Sequence, residues 1–77
     1  MDYLRIQTWK EDLSYYGTSG TGDMVTNAVV IDRYQVDDEP VVIAKLDGTV
    51  WQIVTDLSIS VGDTISATWR DGKYYAS

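Results

Sequence analysis

The side chains able to perform acid–base or metal chemistry in this chain are nearly all carboxylates. The sequence has 77 residues with twelve Asp and Glu, no His and no Cys. Without His, the commonest general base and metal ligand is missing. Without Cys, there is no thiolate nucleophile and no disulfide.

The densest group of carboxylates is Asp37, Asp38 and Glu39, directly before Pro40. Successive side chains of an extended segment point to opposite sides, so these three would not converge on one substrate. The spaced oxygen ligands of a calcium loop are also absent. The serines have no His to activate them, and the lysines show no paired motif. We therefore expect no enzyme activity, no catalytic residue, no metal and no cofactor.

The segment Gly17–Asp23 contains three glycines in seven residues. A phosphate-binding loop would need a lysine after its last glycine, where this chain has Asp23, and a carboxylate there repels phosphate. The segment is therefore predicted to be a mobile loop rather than a nucleotide site.

The charge balance restricts the partners. Six Lys and Arg against the twelve carboxylates give a net charge of −6, whereas nucleic-acid binders need a positive surface. Direct nucleic-acid binding is not expected. The acidity allows two explanations: a self-repelling soluble surface, or a protein that docks on a basic partner or mimics the charge of nucleic acid.

Length and hydropathy indicate one domain over residues 1–77. Hydrophobic residues make up 44% of the chain, enough for a small core. No apolar run is long enough to span a membrane, and no charged-then-apolar leader opens the chain. We expect no membrane span, no signal peptide, and a cytoplasmic or virion-associated location.

The N-terminal segment predicts one strand and one helix. Tyr3–Thr8 alternates in polarity, as a half-buried strand does. Thr8 and Glu11 have the spacing of a capping box, and apolar side chains then recur on one helical face. Those side chains are Trp9, Leu13 and Tyr16. A short helix over residues 9–16 is therefore predicted, ended by a glycine.

The remaining chain predicts strands and tight turns. Met24–Val36 is rich in β-branched residues and reads as one long strand, bent near Asn27 and Ala28. A solvated turn over residues 37–40 ends it. Asp47-Gly48 is a strong hairpin signal, and its register makes three cross-strand pairs on one core-facing side. The pairs are Leu46 with Thr49, Ala44 with Trp51, and Val42 with Ile53.

Residues 56–63 indicate a strand edge or crossing loop. Thr64–Arg70 alternates, and Asp71-Gly72 predicts a second hairpin that pairs Trp69 with Tyr74. The last strand, Lys73–Ser77, is an edge by its length. The predicted core centre is Val42, Trp51, Ile53, Ile65, Ala67 and Trp69, with Ile6 and Leu13 at one end.

These elements predict a mainly β fold. Five or six short antiparallel strands with one short helix are typical of a small OB-like or SH3-like barrel, or of a sandwich.

The aromatic side chains indicate a candidate binding surface. The chain has three Trp and six Tyr but no Phe, and Trp and Tyr are enriched at binding hot spots. The tryptophans fall on predicted core faces, whereas several tyrosines fall on outer faces. A docking surface of aromatic anchors beside an acidic rim is therefore predicted. Its residues are Tyr34, Asp37, Asp38, Glu39, Tyr3 and Tyr75.

Part of the chain resembles two families of small β-barrel. The resemblance is carried by three segments: 45–51 (KLDGTVW), 59–65 (ISVGDTI) and 69–75 (WRDGKYY). They look like the soluble OB-type barrel of NfeD-like proteins, and a similar pattern occurs in small barrels of phage baseplates and tail tips. The resemblance implies an assembly or interaction role and supplies no catalytic residue.

Two functional hypotheses follow from these observations. The first is a non-enzymatic structural or protein-interaction module that docks on a protein partner or forms a homo-oligomer. The second is a small acidic phage-encoded inhibitor that occupies the basic nucleic-acid-binding groove of a host protein. Affinity that depends steeply on salt would distinguish the second from the first.

Overall fold

The computed structural model describes the backbone of residues 5–6 and all of residues 9–10 and 12–77. Seven strands lie in this part of the chain, and no helix does. The strands are β1 (Arg5–Ile6), β2 (Thr18–Ser19), β3 (Met24–Val36), β4 (Glu39–Leu46), β5 (Thr49–Val54), β6 (Thr64–Arg70) and β7 (Lys73–Ala76).

Five of these strands close into a barrel. The order is β3-β4-β5-β7-β6, and β6 pairs with β3 again to complete the ring. Neighbours are antiparallel except β5 and β7, which run parallel. This arrangement is consistent with an OB-like fold. The short strands β1 and β2 add to the barrel as parallel neighbours of β3 and β5.

Strand β3 takes part in both halves of the barrel because it bends. Its first half pairs with β6 and its second half with β4, and its pairing shifts register between Val25 and Ala28 and again between Val30 and Asp32. Asn27 has a positive φ of 59° at the first shift. The bend predicted near Asn27 and Ala28 is confirmed, since bulges of this kind curve a strand.

The hairpin registers are as the turn sequences predict. Ala44 pairs with Trp51, Val42 with Ile53, and Leu46 with Thr49 across the β4–β5 turn. The β6–β7 turn pairs Trp69 with Tyr74. Asp47 and Gly48 have φ values of 53° and 79°. Both central residues of a type I′ turn need such values.

Gly48→Val tests this turn. The φ of 79° is unfavourable for a β-branched residue, so we expect a loss of about 1–2 kcal/mol in the free energy of unfolding. Nothing lies within contact distance of an added Cβ, so the loss would come from the backbone. Gly48→Asn, which tolerates this conformation, serves as the control in urea denaturation. Equal losses for Val and Asn would contradict the turn assignment.

Two apolar clusters lie on opposite sides of the barrel wall. The barrel interior contains Val25, Ala28, Val30, Val42, Ala44, Trp51, Ile53, Ile65, Ala67 and Tyr74. The second cluster, on the outer side, contains Leu13, Tyr34, Val41, Ile43, Val50 and Val54. The β4–β5 hairpin is therefore buried on both faces. The expectation that only the Trp51 face is covered was incomplete.

The helix predicted over residues 9–16 does not form in the described part of the chain. Only one turn closes, where the amides of Tyr16 and Gly17 both donate to the Leu13 carbonyl. The backbone N–H and C=O of Lys10 instead bond the side chain of Gln52, so they are not available to a helix. The apolar spacing that suggested a helix reflects packing on the barrel.

Three further expectations were wrong. Trp69 is 47% exposed because it lies at the end of β6. Strand β7 is not an edge, since β5 and β6 flank it. The turn after β3 contains only Asp37 and Asp38, and strand β4 already begins at Glu39.

Of the strand predicted over residues 3–8, the described portion is β1, and the side chain of Ile6 lies outside the described residues.

Candidate functional site

Residues 9–10 and 12–17, here called the arm, lie across the outer face of β3, β4 and β5. Leu13 is 5% exposed and belongs to the outer cluster. Trp9 and Tyr16 pack against the same cluster. The arm therefore covers apolar strand residues that would otherwise face water, which is its contribution to stability.

Gln52 fixes the arm to the barrel. Its Nε2 donates to the Lys10 carbonyl at 2.9 Å, and its Oε1 accepts the Lys10 N–H at 3.0 Å. The Tyr34 hydroxyl donates to the same Oε1. Gln52 is only 5% exposed, so these bonds satisfy a polar group that would be costly to bury alone.

Polar and cation–π contacts hold the rest of the arm. The Tyr16 hydroxyl donates to Asp32 Oδ2 at 2.9 Å. Lys73 Nζ lies 4.7 Å from the centre of the Trp9 ring and 3.9 Å from Glu39 Oε1. The arm is thus held at its start, at its end and by the apolar side chain of Leu13 between them.

Tyr34 lies beneath this arm. Burial raises the pKa of its phenol far above the ordinary value, and the nearby Tyr16 and Asp32 add to the rise. The folded protein therefore keeps Tyr34 protonated at a pH where the unfolded chain loses the proton.

Alkaline pH is expected to destabilise the fold for this reason. Above about pH 10 the unfolded state binds fewer protons than the folded state, so the free energy of unfolding falls as pH rises. Tyr34→Phe should remove part of this fall, and Tyr74, whose pKa is also raised by burial, should account for another part. Urea midpoints between pH 8 and 11 measure it. An unchanged alkaline fall in Tyr34→Phe would show that Tyr34 is not the titrating group.

The structure does not bring the predicted docking residues together as an exposed surface. Tyr34 is 0% exposed, so the expectation that it is an exposed anchor was wrong: it lies on the barrel's outer face, but the arm covers it. Tyr75 is half-buried, with the Arg70 guanidinium 4.3 Å from its ring centre. Tyr3 lies outside the described residues.

The acidic part of that surface divides into two. Asp37 and Asp38 are exposed in the turn between β3 and β4. Glu39 is half-buried and forms the ion pair with Lys73. Asp37 and Asp38 therefore remain exposed, without an exposed Tyr34 beside them.

A different group of aromatics forms an exposed cleft. Trp69 packs edge-on against Tyr74, with ring centres 4.8 Å apart and planes at 70°. A first hollow lined by this pair is also bordered by Trp9, Lys10 and Gly72. A second hollow lined by the same pair is bordered by Gly20–Asp23. We call the two hollows with their shared Trp69–Tyr74 wall the aromatic cleft.

The glycine-rich segment forms one border of this cleft and is held in place. The Tyr74 hydroxyl donates to the Gly22 carbonyl at 2.7 Å, and the Gly20 amide donates to the Val50 carbonyl at 2.7 Å. A Cβ at Gly20 would lie 2.1 Å from the Trp51 indole. Glycine at this position is therefore required by close approach to a buried ring.

The described residues contain no cluster of carboxylates that could form a metal centre. No group of three or more Asp or Glu side chains lies close enough to hold a metal ion in that part of the chain. Within the same residues, no helix is long and apolar enough to cross a membrane. The arrangement that stands out in these residues is the aromatic cleft.

Sequence reasoning missed Gln52 and the role of Trp69. Gln52 is a polar residue at an outer-face position of β5, and nothing in the local pattern shows that an arm bonds to it. Trp69 follows the inward alternation of β6, which predicted burial. The Asp-Gly turn that follows Trp69 and Arg70 could have indicated the exposure of Trp69, because a residue just before a tight turn lies at the end of the barrel.

Comparison with known proteins gives no family for this chain. No protein-family model matches it, no curated protein matches its sequence, and no solved structure matches its fold significantly. The barrel agrees with the OB-like part of the resemblance, whereas the NfeD-like and phage baseplate assignments stay predictions.

Proposed function

We propose that this protein is a non-enzymatic interaction module that binds an extended segment of a protein partner in the aromatic cleft. The observation that carries the proposal is the exposure of Trp69. Its side chain is 47% exposed, although its ring packs against Tyr74, a residue of the barrel core. A large aromatic ring on a rigid support has little conformational entropy to lose on binding.

The support of Trp69 makes the cleft a preorganised site. Tyr74 is 6% exposed and is bonded to Gly22, so the ring under Trp69 is fixed. The backbone N–H of Trp69 also donates to the Asp23 carbonyl at 2.7 Å. Tryptophan and tyrosine in such partly buried positions are common binding hot spots.

Trp69→Ala tests the proposal. We expect peptides selected from a random display library on the parent protein to lose about tenfold or more of their affinity for this variant. Leu57→Ala is the matched control, because Leu57 is a large apolar residue, 65% exposed, that does not border the cleft. Isothermal titration gives the affinities. Selection without enriched peptides, or equal affinity for both variants, would contradict the proposal.

A second function is favoured by the placement of aspartates in turns. Asp37, Asp38, Asp47 and Asp71 all occupy exposed two-residue hairpin turns. Such charges suit an acidic inhibitor that docks on a basic groove, with steering that depends on salt. Capture of host proteins that is lost in Asp37→Asn/Asp38→Asn but retained in Trp69→Ala would favour this function over binding in the cleft.

A further inference from the structure

We propose that the aromatic cleft binds a proline-rich segment carrying a basic residue on the Asp23 side. This inference rests on the proposed function and specifies its ligand. The two hollows lie side by side and share the Trp69–Tyr74 wall. A polyproline II segment suits such a pair, because its threefold repeat places successive groups of side chains on the same side.

The exposed edge of the cleft matches the polar needs of such a segment. Polyproline II backbones form no internal hydrogen bonds, so their carbonyls remain free to accept. The indole of Trp69 carries an N–H that can only donate. Its aromatic face supplies flat apolar contact for proline rings, which lose little entropy on binding because they are already rigid.

The charges around the cleft fix the direction of the ligand. Asp23 is exposed and borders the second hollow, whereas Lys10 borders the first. Among the residues that border each hollow, the first therefore has a cationic side chain and the second a carboxylate. With a net charge of −6 on the chain, a basic residue is favoured at the second hollow.

The test uses three synthetic peptides and the intact protein. The first is nonaproline with one terminal arginine, the second has glutamate in place of arginine, and the third replaces the prolines with Gly-Ser repeats. Titration is followed by the NMR shift of the Trp69 indole N–H. We expect the arginine peptide to bind tightest, the glutamate peptide about fivefold more weakly, and the Gly-Ser peptide not to shift the indole signal.

Variants connect the effect to the cleft. Asp23→Asn should weaken the arginine peptide about fivefold and should not weaken the glutamate peptide, which loses a like charge beside it. The control is Asp56→Asn, which removes an exposed carboxylate that does not border the cleft. Equal weakening by both variants would overturn the basic preference, because it would report only the net charge of the protein.

The outcome separates this inference from the proposed function. The proline-rich ligand class is wrong if library peptides that bind through Trp69 contain no proline, or if the Gly-Ser peptide binds as well as the proline peptides. Either result would leave the proposed interaction function supported. If no peptide of any kind depends on Trp69, both proposals are wrong.

Discussion

Trp51→Ala is expected to lower the free energy of unfolding by about 3–5 kcal/mol, the cost typical of removing a buried tryptophan. Trp51 is 8% exposed and contributes the largest ring to the barrel interior. It lies across from Ala44 in the sheet, and the backbone of Gly20 packs directly on its indole. Its removal would open a cavity that a small, closed barrel cannot fill by collapse.

Such a loss is large for a domain of this size, whose total stability is marginal. Urea denaturation followed by circular dichroism measures it, and Trp51→Phe gives a milder variant if the alanine protein does not fold. Trp69→Ala is the control, because that tryptophan is half-exposed and should cost much less. A melting curve for Trp51→Ala that matches the parent would contradict the assignment of Trp51 to the barrel interior.

Gln52→Leu is expected to cost about 2–3 kcal/mol and to release the start of the arm. The substitution removes the partner of three groups at once: the Lys10 N–H, the Lys10 carbonyl and the Tyr34 hydroxyl. The hydroxyl belongs to a residue with 0% exposure, and leaving a buried donor without an acceptor costs about 1–3 kcal/mol. Leucine has a volume similar to that of glutamine, so the loss in the free energy of unfolding would measure the contribution of these hydrogen bonds.

Amide hydrogen exchange gives the specific measurement for this variant. The Lys10 amide should exchange much faster in Gln52→Leu, whereas amides of the β6–β7 hairpin should keep their protection apart from the global change. Adding Tyr34→Phe removes the stranded hydroxyl, so the double variant should be more stable than the sum of the single losses predicts. Strict additivity would show that the Gln52–Tyr34 bond contributes nothing.

The sequence alone determined the five strands of the barrel and two of the turns between them. Asp47-Gly48 and Asp71-Gly72 specify tight turns because aspartate and glycine tolerate positive φ, and each turn fixes the register of the hairpin around it. The β-branched run from residue 24 to 36 specified one long strand. From these local rules a small mainly β barrel or sandwich could be predicted, and so could much of its interior, including Val42, Trp51, Ile53, Ile65 and Ala67.

The aromatic cleft and the outer cluster were decided by tertiary structure. Whether Tyr34 faces water depends on the arm, and the arm's path depends on hydrogen bonds between Lys10 and Gln52, 42 positions apart in the chain. Whether Trp69 is covered depends on where the barrel ends and on which side of it the glycine-rich segment passes. Alternation within a strand records which side of the sheet a residue occupies. It carries no information on what distant segment covers that side, because that contact is made only when the barrel closes.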